Sequence, residues 1–269
     1  MKWGACSRMY DVTPGVRAHW HALLRAAAGV AGVEIECIDH AAPAALEALW
    51  DREDLGAAFM CGLPLATLYT NARTLAAPLT VLAKGAVPSY RSVWLVRALS
   101  AFDSLESTFG QRIGWTVAHS HSGCNAPRHA LLAQRTPGRP QLYRTSTGPL
   151  GAPRAALTAL QDERIDVLAL DGYWWWLLQR HDAEAAAYFR VIAETASAPM
   201  PPLICSAAFA ADDAARLTAA LAQLHEDPAA QEPLDALGLR AFKPARSADY
   251  MPLAAMERAA LAAGYPFPA

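Results

Sequence analysis

Short apolar runs alternate with helix-forming stretches along the whole chain, and this alternation limits the possible folds more than any other feature. Strands are predicted at 3–7, 33–37, 57–61, 79–83, 90–96, 112–118, 141–144, 167–170, 190–193 and 203–205. Helices are predicted between several of them, and the first has Thr13 as its N-cap and Pro14 in its first turn. Such alternation predicts an α/β fold with mostly parallel sheets and helices on both faces.

Two segments are predicted to connect two bodies of this fold. Residues 88–97 form one long extended stretch, and residues 190–206 carry strand-like residues interrupted by Pro199, Pro201 and Pro202. Because proline removes a ladder donor and stiffens the chain, the second segment is typical of a connecting passage. We therefore predict two lobes with one open sheet each. Lobe I comprises residues 1–93 and 194–269, and the inserted lobe II comprises residues 94–193.

Composition narrows the class of protein. Of 269 residues, 54% are hydrophobic and 18% are charged, which is typical of a chain with a large core. A net charge of −2 gives no general attraction to nucleic acid, so we do not expect nucleic acid as a partner. We also expect the protein to be a monomer. Five cysteines occur without a CxxC pair, which favours a reducing compartment. With no signal-like start, the sequence as it stands predicts a cytoplasmic protein, although a periplasmic chain without its signal would look the same.

The strongest local pattern is the stretch Gly-Trp-Thr-Val-Ala-His-Ser-His-Ser-Gly-Cys at 114–124, which follows a strand and precedes a helix. It places Ser120, His121, Ser122 and Gly123 at a helix N-terminus, where unpaired N–H groups and the helix dipole favour an anion. Glycine would allow a close approach of the backbone to that anion. An ordinary N-cap serine would explain the same pattern.

Two further turns have a similar build. Cys61 and Gly62 end an apolar strand just before a predicted helix, and they would present a backbone N–H to the same ligand from the other lobe. Asp171 ends the buried run 165–171, at the sheet edge where ligands collect in open α/β sheets. Asp171 would contact the ligand or cap the following helix, and Tyr173 or the neighbouring Trp174 would line the site.

The chain contains no common catalytic or cofactor motif: GxGxxG, GxxxxGK[ST], GxSxG and HExxH are all missing from the sequence. His119 and His121 form an HxH pair that would share one face of a strand, but no third zinc ligand is identifiable. Cys124 near His121 leaves a thiol-dependent hydrolase as an alternative. We therefore predict a protein that is not an enzyme and needs no cofactor or metal.

The order of these motifs resembles the periplasmic solute-binding proteins of phosphate, phosphite and phosphonate ABC transporters. The matching stretches run through nearly the whole chain: Met9-Tyr10, 61–64, 90–97, 104–112, 120–123, 166–171, 237–242, Asp249-Tyr250 and 264–266. The resemblance implies a type 2 periplasmic-binding fold, in which two lobes joined by two crossovers close over a ligand.

The same resemblance assigns roles to particular residues. It implies that Ser120, Ser122 and Gly123 bind the oxyanion and that Asp171 meets the other end of the ligand. It also implies ligand contacts for Tyr10 and Tyr90. Two positions depart from the family: residues 147–151 contain no histidine where the family has one, and His121 replaces a small polar residue. The imidazole of His121 would add a pH-dependent donor.

These inferences predict binding of a small phosphate-, phosphite- or phosphonate-like anion in an interlobe cleft. The protein would serve as the solute-binding component of an ABC-type uptake system, with a transporter permease as its partner. A cytoplasmic sensor or metabolic protein of the same fold, binding a different small ligand, is the alternative.

Overall fold

The computed structural model describes residues 2–269. The strands are β1 (Trp3–Cys6), β2 (Ile35–Cys37), β3 (Leu55–Phe59), β4 (Arg73–Thr74), β5 (Ala76–Thr80), β6 (Ser89–Tyr90), β7 (Ser92–Arg97), β8 (Arg112–Gly114), β9 (Thr145–Thr147), β10 (Val167–Asp171), β11 (Phe189–Glu194), β12 (Ala198–Pro199), β13 (Leu203–Cys205) and β14 (Leu239–Pro244). The α-helices are α1 (Pro14–Ala31), α2 (Leu46–Trp50), α3 (Gly62–Thr67), α4 (Ala126–Leu132), α5 (Pro153–Gln161), α6 (Gly172–His181), α7 (Ala183–Ala186), α8 (Ala211–Gln223), α9 (Gln231–Ala236) and α10 (Met251–Ala262).

The chain divides into two units, of which the first comprises Met1–Ser89 and Pro199–Tyr250. Its five-stranded sheet has the order β2-β1-β3-β13-β4, with β2, β1 and β3 parallel to one another and β13 antiparallel to both its neighbours. Strand β3 is buried along its whole length, as expected of a strand covered on both faces. Helix α1 packs Trp20 into this core, where the indole ring meets the ring of Phe59 at a centroid distance of 4.9 Å.

The second unit comprises Tyr90–Ala198 and Met251–Ala269. Its sheet has the order β11-β7-β10-β8-β9, in which β10, β8 and β9 are parallel and β7 runs antiparallel to both β10 and β11. All five residues of β10 are buried. Just before this strand, the Asp166 carboxylate accepts from the Arg112 guanidinium at 2.7 and 2.8 Å, which pairs a buried charge at the start of the strand.

The C-terminal segment 251–269 belongs to the second unit, whereas we expected it in lobe I. The physical reason lies in the buried side chain of Arg128 on α4, which forms an ion pair with Glu257 of α10 at 3.0 Å. The backbone N–H of Leu142 also donates to the carbonyl of Ala269 at 3.1 Å. An arginine buried on α4 requires acceptors, and the C-terminal segment supplies them.

Local predictions fared unevenly. The Thr13 cap is confirmed, because its side-chain oxygen accepts from the N–H of Val16 at 3.2 Å. The predicted strand 141–144 is wrong, and the strand of this region is β9, directly after it. Leu142 and Tyr143 are apolar because they fill the core of the second unit, not because they belong to a strand. None of the helices within residues 2–269 combines the length and apolar character that a membrane span requires.

Candidate functional site

The stretch 120–125 in the second unit forms a π-helical turn that leads directly into α4. The turn, His121–Asn125, begins after Ser120, whose hydroxyl oxygen accepts from the N–H of Gly123 at 3.0 Å. Its wider winding is visible in the bond from the Asn125 N–H to the Ser120 carbonyl, also 3.0 Å long. Single π-helical turns are rare and are frequently found at functional sites.

Packing explains why a glycine stands in this turn. A Cβ atom added to Gly123 would lie 2.0 Å from the Oγ1 atom of Thr116 and 2.9 Å from its Cβ atom. The backbone N–H of Thr116 also donates to the carbonyl of Gly123 at 3.3 Å. The missing Cβ therefore admits Thr116, and the approach of an anion to the backbone of Gly123 stays a prediction.

The turn offers several donors to a ligand. A helix leaves its first N–H groups without intrahelical carbonyl partners, and its N-terminal end carries a partial positive charge. One of those groups, the N–H of Gly123, is satisfied by Ser120. Ser122 is half-buried at the second position of the turn, and a contact of its hydroxyl or N–H with an oxyanion stays a prediction.

His121 is buried inside the same unit. Its ring contacts the ring of Tyr90 edge-on at a centroid distance of 6.3 Å, and its Nδ1 atom lies 3.2 Å from the amide nitrogen of Asn125. Burial lowers the pKa of His121 to about 3, and the nearby positive charges of His129 and Arg128 act in the same direction. The expected pH-dependent donor is therefore corrected: the imidazole stays neutral through the pH range in which an ordinary histidine titrates.

Asp171 ends strand β10, against which the π-helical turn packs. Its Oδ1 atom accepts from the N–H groups of Tyr173 and Trp174 at 2.8 and 3.0 Å, so the carboxylate caps α6. Of the two alternatives left by the sequence, capping is present; a ligand contact by the same carboxylate stays a prediction. Tyr173 is fully buried and stacks on Trp176 with the ring centroids 6.2 Å apart.

The predicted turn of the first unit is less polar. Cys61 stands at the N-cap of α3 without a side-chain capping bond, and Gly62 is the first residue of that six-residue helix. Tyr10 is buried, and its ring meets the ring of Phe59 edge-on at 5.0 Å. Tyr10 therefore belongs to the aromatic core of the first unit.

Two buried hydroxyl groups were not predicted as site residues from the sequence. The Oγ1 atom of Thr116 and the Oγ atom of Ser92 are both buried and make no hydrogen bond within residues 2–269. Ser92 lies opposite Asp171 in the antiparallel pair of β7 and β10, so the two side chains share one face of the sheet. Ser92 follows Tyr90 by two residues on an extended stretch. This spacing places both side chains on the same face of the strand, and it could have identified Ser92 from the sequence.

The alternatives based on a metal or a thiol gain no support. His119 lies in a turn and His121 in the π-helical turn, so they do not share a strand face as predicted. Among residues 2–269, no three His, Cys, Asp or Glu side chains are grouped so that they could hold a metal ion. Burial raises the pKa of the Cys124 thiol to about 11, which leaves almost no nucleophilic thiolate at neutral pH.

Comparison with known proteins identifies the family of the chain. The sequence profile described as "ABC transporter, phosphonate, periplasmic substrate-binding protein" matches residues 14–250. No curated protein matches the chain.

Solved structures resemble the chain over nearly its full length. A binding protein component of an ABC phosphonate transporter from Pseudomonas aeruginosa is 14% identical, with a TM-score of 0.78 over 98% of this chain and 88% of that one. PhnD1 from Prochlorococcus marinus, solved with methylphosphonate, is 16% identical, with a TM-score of 0.75 over 96% and 97% of the two chains. A Xanthomonas citri protein bound to ATP is 18% identical, with a TM-score of 0.61 over 98% of each chain. These similarities confirm the predicted type 2 periplasmic-binding fold, with two sheets and helices on both faces.

Proposed function

Because the chain belongs to the family of periplasmic substrate-binding proteins of phosphonate ABC transporters, we propose that it binds a phosphonate-like oxyanion for uptake. The observation that carries the proposal is the π-helical turn His121–Asn125, capped by Ser120 and continued by α4. Ser120, Ser122 and Gly123 are the residues of this turn that we assign to the oxyanion, with His121 as their buried support.

Neutral donors suit such a ligand. An oxyanion that leaves water must regain its lost hydration, and each hydrogen bond to a charged group contributes roughly 1.5–3 kcal/mol. The start of the helix supplies N–H groups and a partial positive charge without a cation in contact with the anion. A site of this kind would hold phosphate, phosphite and phosphonates by the oxygens that they share.

We assign the other predicted residues secondary roles. Asp171 would meet the end of the ligand away from the oxyanion, and Tyr90 would contact it from β6. The residues Cys61 and Gly62 would add donors from the first unit. Tyr10 and Tyr173 are buried in the cores of their units, and we propose that they support the site without touching the ligand.

We propose no catalytic role. The family consists of substrate-binding transport proteins, and the thiol of Cys124 is held protonated by burial. The alternative, a sensor of the same fold, would lie in the cytoplasm, whereas an uptake protein would lie in the periplasm. Cell fractionation of the native organism decides between these two functions. Recovery in the periplasmic fraction supports uptake with a permease partner, and recovery in the cytoplasm supports a sensor.

A ligand screen followed by calorimetry tests the function. Methylphosphonate, phosphite, phosphate, methylsulfonate and malate are added in turn, and a ligand that binds the native state raises the unfolding temperature. We expect the phosphorus oxyanions to raise it and malate to leave it unchanged. Stabilisation by malate alone would contradict the proposal.

The assigned turn is tested by one substitution and its control. Ser122→Ala should weaken the binding of the best oxyanion about tenfold, which corresponds to about 1.4 kcal/mol. Ser104→Ala, at a half-buried bend of the same unit where the hydroxyl accepts from the Ser107 N–H, should leave the affinity unchanged. Equal affinities of Ser122→Ala and the unaltered protein would remove the turn from the binding mechanism.

A further inference from the structure

A chain of buried polar contacts runs from the π-helical turn to the C-terminal segment within the second unit. The Arg128 guanidinium, whose side chain is only 3% exposed, lies between Asn125 and Glu257. Its Nε and Nη2 atoms donate to the Oδ1 atom of Asn125 at 3.2 and 2.9 Å, and Nη2 also donates to Glu257 at 3.0 Å. Its Nη1 atom donates to the carbonyl of Pro266 at 2.7 Å.

These contacts fix which way the amide of Asn125 points. A guanidinium group only donates hydrogen bonds, so the atom of Asn125 that faces Arg128 must be the amide oxygen. The opposite atom, the amide nitrogen, lies 3.0 Å from the carbonyl oxygen of Leu253, which only accepts. Both neighbours therefore require the same orientation of the amide group.

The orientation of Asn125 in turn determines the protonation of His121. The amide nitrogen of Asn125 only donates, and it lies 3.2 Å from the Nδ1 atom of His121. Nδ1 must therefore accept, so the proton of the neutral imidazole resides on Nε2.

We infer that Asn125 is a positioning residue that holds His121 in the Nε2–H tautomer, and that Arg128 and Glu257 keep Asn125 in the required orientation. His121 thereby enters the anion-binding turn as a neutral group whose buried Nε2 atom carries the proton. The part of this inference that concerns ligand binding rests on the proposed function, whereas the tautomer does not.

The surroundings of the ring agree with this assignment. Arg128 and His129 on α4 face His121 with positive charge, Tyr90 packs on its ring from β6, and Glu257 is already paired with Arg128. The turn therefore keeps a constant charge while the pH changes between about 5 and 8, the range in which histidines usually titrate.

Nitrogen NMR of the imidazole is the direct test. The protein is labelled with ¹⁵N-histidine, and the His121 signals are identified as those missing from the His121→Asn variant. Long-range ¹H–¹⁵N spectra distinguish the two neutral tautomers and the imidazolium. We expect the Nε2–H tautomer for the unaltered protein at pH 5 and at pH 8; an Nδ1–H tautomer or an imidazolium would overturn the inference.

Two variants test the role of Asn125. Asn125→Asp replaces the donor facing Nδ1 by an acceptor of the same shape, so the proton should move to Nδ1 or the ring should become charged. Glu257→Gln keeps an oxygen acceptor for Arg128 and should preserve the Nε2–H tautomer. An unchanged tautomer in a folded Asn125→Asp variant would overturn the inference. If that variant does not fold, the unaltered protein and Glu257→Gln still decide it.

Calorimetry with methylphosphonate connects the tautomer to binding. We expect Asn125→Asp to weaken methylphosphonate binding about tenfold or more, because it changes the protonation of His121 and adds a negative charge beside the anion-binding turn. Glu106→Gln, at an exposed position of the same unit outside this contact chain, should stay within about twofold of the unaltered protein. If the unaltered protein does not bind methylphosphonate, the proposed function loses its support while the spectra still test the tautomer.

Discussion

The two strand–turn–helix junctions of this protein, one in each unit, show how the same topology leads to different chemistry. In the second unit, the Ser120 hydroxyl caps a π-helical turn by accepting from Gly123. In the first unit, Cys61 occupies the corresponding N-cap of α3 and makes no side-chain capping bond. Both glycine-containing turns follow a buried strand, so the strand alone does not decide which turn holds an anion.

Residue chemistry at the third helical position explains much of the difference. An N-cap side chain accepts from the N–H of the second or third helical residue. The third residue is Gly123 in one turn and Pro64 in the other, and proline has no N–H. Helix α3 also has only six residues, so its dipole is shorter. The comparison favours the turn of the second unit over that of the first as the place of the proposed anion.

The largest expected effect concerns the packing that shapes the turn. Gly123→Ala would place a Cβ atom 2.0 Å from Oγ1 of Thr116, and we expect it to lower the free energy of unfolding by about 3 kcal/mol. Urea unfolding measures the change. Gly29→Ala is the matched control, because nothing lies within 4 Å of its Cβ position and helix propensity should raise stability by up to about 1 kcal/mol.

A second substitution shows whether the collision is the cause. Adding Thr116→Ala to Gly123→Ala removes the Oγ1 and Cγ2 atoms that the new methyl group would meet. Stability should then recover in part. If the double variant were no more stable than Gly123→Ala, the glycine would be required for another reason, and the contrast between the two turns would need a different explanation.

The next largest effect is a pH dependence that originates at His121. Its pKa is lowered from 6.5 to about 3 in the folded protein, so the unfolded chain takes up the proton first as the pH falls. The stability that depends on a neutral His121 is complete above pH 6.5 and is lost progressively towards pH 3. Between pH 8 and pH 5, this loss amounts to about 2 kcal/mol.

The His121→Asn variant isolates this contribution. Asparagine can present an oxygen acceptor near the place of Nδ1 and does not titrate, so stability should fall by about 2 kcal/mol less between pH 8 and pH 5 than in the unaltered protein. Urea unfolding at the two pH values gives the difference. Identical pH dependence of the two proteins would show that His121 is not held neutral by the fold.

The sequence predicted the general plan and the capped helix start at 120–123 because local patterns determine them, while anion binding by that turn stays a prediction. Buried strands such as β10 are continuous apolar runs, and the serine–glycine spacing at 120–123 marks a helix start. The protonation state of His121 could not be predicted in the same way. It depends on the contact of Asn125 with Arg128 and with the carbonyl of Leu253, which lies far from His121 in the sequence. Contacts of that kind arise only when the C-terminal segment packs into the second unit.

A smaller effect tests the cap itself. Ser120→Ala removes the acceptor for the Gly123 N–H and should lower the free energy of unfolding by about 1 kcal/mol. It should also weaken oxyanion binding, because the start of the turn becomes less well ordered. Cys61→Ala is the matched change in the first unit and removes no capping bond. A larger loss of oxyanion affinity in Cys61→Ala than in Ser120→Ala would reverse the ranking of the two turns.

The smallest expected change in stability belongs to Asp171, where a cap and a proposed ligand contact involve the same side chain. Asparagine caps helices about as well as aspartate, so Asp171→Asn should keep the acceptor for the N–H groups of Tyr173 and Trp174. The lost charge at the start of α6 should lower the free energy of unfolding by only about 0.5 kcal/mol. The selectivity among phosphonates with different organic groups should nevertheless change, because the carboxylate would meet the end of the ligand away from the oxyanion. Calorimetry with methylphosphonate and an aminoalkylphosphonate measures the ratio of the two affinities. An unchanged ratio would leave Asp171 as a helix cap alone and assign ligand selectivity to other residues.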